Sequence, residues 1–256
     1  MTAHPKVTLV TCKSMPNLFK GEEGLLDELA ARGCDPQIKV WNDPDVDWSE
    51  AGMVVVRSVS DYASDRPAFL EWTKQLRRVQ NSADVLNWNT DKHYLKELAA
   101  LGMPTIPTNW LEPEQNLSKH QIHTRFPAFG EFVVKPAVSS GVRDIGRYTT
   151  VDTRQRQAAM RQVQGLLGEG RSVMIQRYVE EIDLHGEISL VFFNGLVSHA
   201  VEKRSALHPA SVSDPAVHEA VVTAEAADSV AWKWGEEIRR VLHGYVRSRL
   251  GHDEQF

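Results

Sequence analysis

The stretch FVVKPAVSSGVRDIGRY, residues 132–148, decides how the rest of the chain is read. An apolar, β-rich run (Phe132, Val133, Val134) delivers a single lysine, Lys135. Pro136 and a small-residue loop, Ser139-Ser140-Gly141, follow it, and Arg143 and Arg147 flank Asp144 and Gly146. A lysine at a strand end, beside a loop rich in backbone N–H groups, is an arrangement that can hold phosphate. The G-x-x-x-x-G-K-[ST] spacing of a P-loop occurs nowhere in the chain. A β-hairpin with a charged tip explains the same residues equally well when the segment is taken alone.

Outward from this hairpin, the first eighty-odd residues alternate strands with helices. Val7–Thr11, Gln37–Trp41 and Met53–Arg57 read as buried strands, and Glu22–Arg32 and Pro67–Val79 as helices with apolar faces. That order predicts a small parallel sheet whose ligands sit beyond the carboxyl ends of its strands. Asn87–Lys92 reads as a linker in which Thr90 or Asp91 caps a helix over His93–Leu101. Residues 111–130 read as irregular, with a short helix after Ser118. Beyond the hairpin, Thr153–Leu167 is predicted helical, Val173–Tyr178 and Ile188–Phe193 are predicted strands, and Asn194-Gly195 signals a two-residue turn. Ser205–Ala216 reads as a loop. Ala220–Leu250 reads as a helix with Trp232, Trp234, Ile238, Val241, Leu242, Tyr245 and Val246 on its core face. That face suits a homodimer as well as a core.

At 256 residues the chain has room for two compact domains, and 42% apolar with 25% charged residues is ordinary globular composition. A formal net charge of −5 without a basic block argues against nucleic-acid binding. No apolar run has membrane-spanning length, so no membrane partner is expected. The N-terminus lacks the features of a signal peptide, and the two cysteines, Cys12 and Cys34, form no C-x-x-C or metal-ligand spacing. A reduced cytoplasmic setting is the expectation. Cys12 could serve as a nucleophile, but a small half-buried residue at a strand end is the simpler reading.

The order of motifs carries more than any one of them. Arg57 to Tyr62 (RSVSDY), Trp88 to Lys92 (WNTDK), Val133 to Pro136 (VVKP), Gly186 to Phe192 (GEISLVF) and Ser198 to Val201 (SHAV) occur in that order. In this the chain resembles the ATP-grasp superfamily, and within it the cycloserine synthetase (O-ureido-serine cyclo-ligase) branch, over residues 5 to 204. The resemblance implies an α/β and α+β chain. A small parallel domain (1–88) for substrate precedes a central subdomain (89–172) and a C-terminal subdomain (173–256), the last two enclosing ATP. It implies ATP and Mg²⁺ as cofactors and a small amino-acid-like molecule as substrate, in an antibiotic-biosynthesis setting.

Carried over position by position, Lys92 and Lys135 resemble the two lysines that touch nucleotide phosphates, with Ser139, Ser140 and Gly141 as the phosphate loop. A lysine at a helix start opposes the helix dipole unless an anion lies nearby, and a partly buried Lys135 needs a counter-charge. Gln176, Tyr178 and Val179 resemble the hinge that meets adenine, the last two through backbone groups. Glu187 resembles the acid that holds the ribose hydroxyls, although a surface carboxylate opposite Lys203 fits as well, and Asp183 is a weaker ribose candidate. Lys203 and Arg204 are candidates for the γ-phosphate and an acyl phosphate, with a solvated strand end as the alternative. Arg57 and Asp61 lie where substrate is expected, Asp61 for an amino group and Arg57 for a carboxylate or acyl phosphate; a salt bridge between the two is the plain alternative. The chemistry implied is attack of a substrate carboxyl-like oxygen on the γ-phosphate and capture of the phosphorylated intermediate by an amine. Positioning and charge neutralisation suffice for it, without a protein nucleophile.

Two departures from the resemblance stand out. Ser60 occupies a position that is usually aromatic. The carboxylates expected to hold Mg²⁺ belong to strands beyond the last long helix, whereas the sequence ends at Phe256 and only Asp253 and Glu254 are acidic nearby. The metal ligands are therefore unassigned, and a chain ending at Phe256 is expected to turn over Mg²⁺-ATP poorly. A nucleotide-binding but inactive relative is the alternative to a working ligase.

Overall fold

The structure is a computed structural model that describes residues 4–19, 21–22, 24–203, 207, 219–222 and 229–250. Two compact units emerge, residues 1–92 with 138–141, and residues 93–137 with 142–256.

The first unit is built on β1 (Lys6–Thr11), β2 (Asp35–Val40), β3 (Met53–Ser58) and β4 (Val79–Gln80), in the order β2-β1-β3-β4. All three pairings are parallel, as the alternation of strands and helices predicts. The helices are α1 (Gly24–Ala31), α2 (Arg66–Lys74) and α3 (Ala83–Asn89). Because β2 and β3 lie on opposite sides of β1, a crevice opens at the carboxyl ends of β1 and β3, the usual ligand position in such sheets. Val10, Trp41, Val54, Phe69 and Trp72 form the core beneath it. Trp41 meets Phe69 edge-on at 5.6 Å. Gly52 enters β3 with φ +70°, and a Cβ there would overlap the Lys6 carbonyl oxygen of the neighbouring strand. We expect Gly52→Ala to destabilise this unit by about 2–4 kcal/mol, summing backbone strain and the steric clash, and denaturant unfolding will read it as a lower midpoint at unchanged slope.

Two sequence expectations fail here for tertiary reasons. The helix predicted over Pro67–Val79 ends at Lys74, because Val79 instead pairs with Val54 at the sheet edge. The predicted linker Asn87–Lys92 opens inside α3, whose N-cap is Ser82. Thr90 is the C-cap of α3, and no side chain caps the next helix, α4 (Tyr94–Ala100). Its hydroxyl donates to the Leu86 carbonyl (2.6 Å) and accepts from Arg66 Nε (2.9 Å), so an arginine distant in sequence holds this segment helical.

In the second unit, β5 (Thr108–Leu111), β6 (Glu131–Pro136), β7 (Gly146–Thr149) and β8 (Val173–Arg177) make an antiparallel sheet of order β5-β8-β6-β7. The hairpin of residues 132–148 is therefore β6–β7. Residues 111–130 hold a capped short helix, α5 (Lys119–His123), as expected after Ser118, but β5 before them is a strand that polar composition concealed. Helix α6 (Thr153–Gly168) starts at Asp152, whose carboxylate accepts from the Arg154 amide, and buries Ala159, Val163 and Leu166 at helical spacing. These pack with Phe132, Val134, Val173 and Ile175 on one face of the sheet. Fully burying side chains of this size stabilises by about 1.5–3 kcal/mol each.

After the short helix α7 (Glu181–His185), a second sheet contains β9 (Glu187–Phe193), β10 (Leu196–Lys203) and β11 (Glu219–Val222) in the order β11-β10-β9. Asn194 and Gly195, both at positive φ, turn β9 into β10 as their sequence signals. Residues 219–222 pair with β10, so the predicted helix over Ala220–Leu250 does not begin at Ala220, and its described part is α8 (Ser229–Leu250). On α8, Val246 is buried, whereas Trp234 is 50% exposed beside an apolar cavity of about 410 Å³ that Leu190, Phe192 and Ile238 also line. Among the described residues no helix is long and apolar enough to cross a membrane. The predicted loop over Ser205–Ala216 falls, apart from Leu207, outside the described residues, as do Arg204, Asp253 and Glu254.

Candidate active site

At the crevice of the first unit, the chain leaves β1 at Cys12 and β3 at Ser58. Asp61 follows in a short 3₁₀ turn (Ser60–Ser64), and its carboxylate accepts from the indole Nε1–H of buried Trp41 at 2.8 Å. One carboxylate oxygen is thus fixed by a rigid donor. Arg57 pairs with Glu22, whose other oxygen accepts from Ser58 Oγ (2.7 Å) and from the Phe19 amide (3.3 Å). The guanidinium is 38% exposed, and Arg57 and Asp61 do not form the salt bridge that the sequence allowed. Cys12 is fully buried, with its thiol 3.2 Å from Ser14 Oγ and 3.7 Å from Ser60 Oγ. Burial pushes this thiol up, but the contacts with Ser14 and Ser60 outweigh burial and hold it below the usual thiol range. Lys92 Nζ donates to the carbonyl (2.9 Å) and the hydroxyl (2.8 Å) of Ser139, bringing these two predicted phosphate ligands together. Ser140 is half-buried beside them, and Gly141, at φ +62°, occupies a left-handed position that favours glycine.

In the second unit the pleat sorts β6 into two faces. Phe132 and Val134 enter the core under α6, so Val133 and Lys135 face the opposite side. Their cross-strand partners are Gln176 and Met174, which places Lys135 and Gln176 on one sheet face. Lys135 is half-buried, and among the described residues it has no hydrogen-bond or ion-pair partner. Burial lowers its pKa, and the field of Glu187 partly opposes that shift. A partly desolvated ammonium without a bonded acceptor suits an anionic ligand such as a phosphate. Glu187 opens β9 directly opposite Lys203, the cross-strand arrangement of its plain alternative, while its charge also reaches Lys135.

The hinge is partly committed to its own sheet. The Tyr178 amide donates to the Glu131 carbonyl (2.9 Å), and the Val179 carbonyl accepts from the Ile182 amide (3.2 Å). Gln176 Nε2 donates to Thr108 Oγ1 (2.7 Å). Asp183 accepts from the Tyr178 hydroxyl and pairs with Arg147 at 2.8 Å. The Arg147 guanidinium also stacks 3.7 Å from the centre of the Tyr178 ring and pairs with Glu131. Asp183 therefore braces the hinge rather than presenting a carboxylate without partners. Among the described residues, no group of three His, Cys, Asp or Glu is placed to hold a metal ion.

Sequence reasoning missed Glu22, Trp41 and the bracing role of Arg147. Glu22 looked like an ordinary helix-start acid and Trp41 like a strand residue, and their partners lie 35 and 20 positions away. Arg147 was visible as a hairpin arginine, but nothing in its spacing pointed to Tyr178.

Comparison with known proteins gives concordant results. Residues 7–87 match the sequence profile of the family described as D-cycloserine synthetase DcsG, N-terminal domain. The chain is 35% identical over 190 residues to the cycloserine biosynthesis protein DcsG of Streptomyces lavendulae, a match covering 72% of this chain and 62% of that relative. The chain thus spans less than two thirds of that relative's length. The crystal structure of D-cycloserine synthetase DcsG superposes with a TM-score of 0.78 at 28% identity, over 96% of this chain and 82% of that one. D-alanyl-alanine synthetase A from Vibrio cholerae superposes with a TM-score of 0.60 at 13% identity, over 98% and 82%, a likeness of fold.

Proposed function

The chain has the ATP-grasp fold and resembles the cycloserine synthetases within that superfamily, and from this premise we propose that it is an ATP-dependent ligase acting on an amino-acid-derived substrate. The observation that carries the proposal is Lys135, a half-buried ammonium on the face of the β6–β8 sheet opposite the α6 core, with no bonded partner among the described residues. Lys135 would meet nucleotide phosphate, and Lys92 with Ser139, Ser140 and Gly141 would form the phosphate loop. The Tyr178 carbonyl and the Val179 amide would read the adenine edge. That division agrees with the Tyr178 amide and the Val179 carbonyl being spent on the sheet and the following turn. Glu187 would take the ribose hydroxyls, and Lys203 and Arg204 the transferred phosphoryl group. Mg²⁺, when bound, would neutralise charge on the phosphates. In the first unit, Asp61 would hold the substrate ammonium and Arg57 its carboxylate or acyl phosphate.

The chemistry proposed is phosphorylation of a carboxyl-like oxygen followed by attack of an amine on the activated carbon, releasing ADP and phosphate. In the cyclo-ligase form both groups belong to one molecule and a ring closes. The test is incubation of the complete protein, with whatever sequence follows Phe256 in its gene, with Mg²⁺-ATP and O-ureido-serine, beside a panel of amino-acid pairs, with ADP and product followed by mass spectrometry. ADP formation that depends on O-ureido-serine, with a cyclised product, is expected. ADP formation that depends on an amino-acid pair would keep the ligase and replace the substrate. Nucleotide binding without ADP formation in any mixture would favour an inactive nucleotide-binding relative.

A further inference from the structure

The tetrapeptide Val138–Gly141 belongs to the first unit although the residues on either side of it belong to the second. Two side chains converge on its Ser139 carbonyl: Lys92 Nζ at 2.9 Å and the Tyr62 hydroxyl at 3.2 Å. Ser139 is 7% exposed, so its carbonyl depends on such donors. Tyr62 directly follows Asp61, and its ring lies 5.6 Å from that of Phe69 in the core. A hydrogen bond from a side chain that core packing holds still therefore ties residues 138–141 to the segment that carries Asp61.

We infer that Tyr62 is a positioning residue that docks the phosphate loop onto the substrate crevice, and that Lys92 moves from Ser139 to a nucleotide phosphate when ATP binds. This rests on the ATP reading above. A phosphate oxygen is anionic where the Ser139 oxygens are neutral, so the charge-assisted contact to phosphate is the stronger of the two. Once Lys92 leaves, the Tyr62 bond keeps the buried carbonyl satisfied and the loop in place, and occupancy at Asp61 reaches the nucleotide loop through an adjacent residue.

The test compares wild type with Tyr62→Phe, which keeps the ring in the core and removes only the hydroxyl. Hydrogen exchange of the 138–141 amides is measured without nucleotide, and AMPPNP affinity is measured by calorimetry. A single hydrogen bond is worth about 0.5–1.5 kcal/mol, or roughly 2- to 10-fold. Exchange of these amides faster by about that factor, weaker AMPPNP binding by a similar factor, and unchanged exchange in β1 and β3 are expected. Unchanged loop exchange and affinity would overturn the inference, and faster exchange spread through the whole unit would overturn it in favour of a merely structural role. If wild type binds no AMPPNP, the ATP reading fails and the exchange of Lys92 with it. Loop exchange then still decides whether Tyr62 is the anchor.

Discussion

On the proposed function, Lys135→Met is expected to abolish measurable nucleotide binding while the protein stays folded. The ammonium sits on the sheet face opposite the α6 core, and its neighbours tolerate an unbranched apolar side chain of similar length. The substitution deletes a charge that burial already disfavours, so the free protein is expected to gain rather than lose stability. The nucleotide loses a charged partner worth about 1.5–3 kcal/mol in a typical contact and more where water is excluded, so a fall of at least about 100-fold in affinity is expected. Calorimetry with AMPPNP, beside a melting curve, reads both effects, and unchanged affinity would remove Lys135 from the site.

The same residue sets a pH signature. On the proposed function only the protonated lysine would bind phosphate, and burial has lowered its pKa below the usual 10.5. Affinity is therefore greatest below the lowered pKa and falls as pH rises through it. Because the bound anion favours the charged form, binding takes up protons within that window. For folding without nucleotide the sign is opposite: the unfolded lysine holds its proton to higher pH, so stability rises with pH between the lowered value and 10.5. In Lys135→Met both dependences vanish.

Asp61→Asn separates substrate from nucleotide. Asparagine keeps an oxygen for the Trp41 indole N–H, so the turn and the aromatic core beneath it survive. What is lost is the negative charge that the proposed function assigns to a substrate ammonium, and its loss is expected to lower kcat/KM by about 100-fold or more, the order expected when one partner of a hydrogen-bonded charge pair is removed. Nucleotide affinity is expected to stay within about twofold. Substrate kinetics like those of wild type would sink the assignment. Loss of nucleotide binding together with turnover would point to collapse of the crevice instead.

The parts of this protein that were readable in its amino-acid order share one property: their cause is local. Asn194-Gly195 turns because its residues accept positive φ. Helix α6 forms because Asp152 caps it and Ala159, Val163 and Leu166 recur on one face. The parallel sheet follows from strands alternating with helices, and Lys135 was visible because an apolar run ended in a charge. The ordered motifs supplied the superfamily, and the fold agrees with it.

Tertiary structure alone decided the matters that depend on distant partners. Thr90 looked like a helix start and is a helix end, because Arg66 reaches across to it. Val79 and residues 219–222 carry helix-compatible sequence but pair as strands, because a free sheet edge outbids weak local propensity. Glu22 rather than Asp61 holds Arg57, which leaves the Asp61 carboxylate oriented by Trp41. Asp183 is drawn to Arg147 and Tyr178, partners that its spacing did not reveal. Spacing along a chain can nominate a carboxylate or an ammonium. Which counter-charge reaches it first is a property of three-dimensional packing, since Coulomb and hydrogen-bond energies depend on distances of a few ångströms that residue order does not encode.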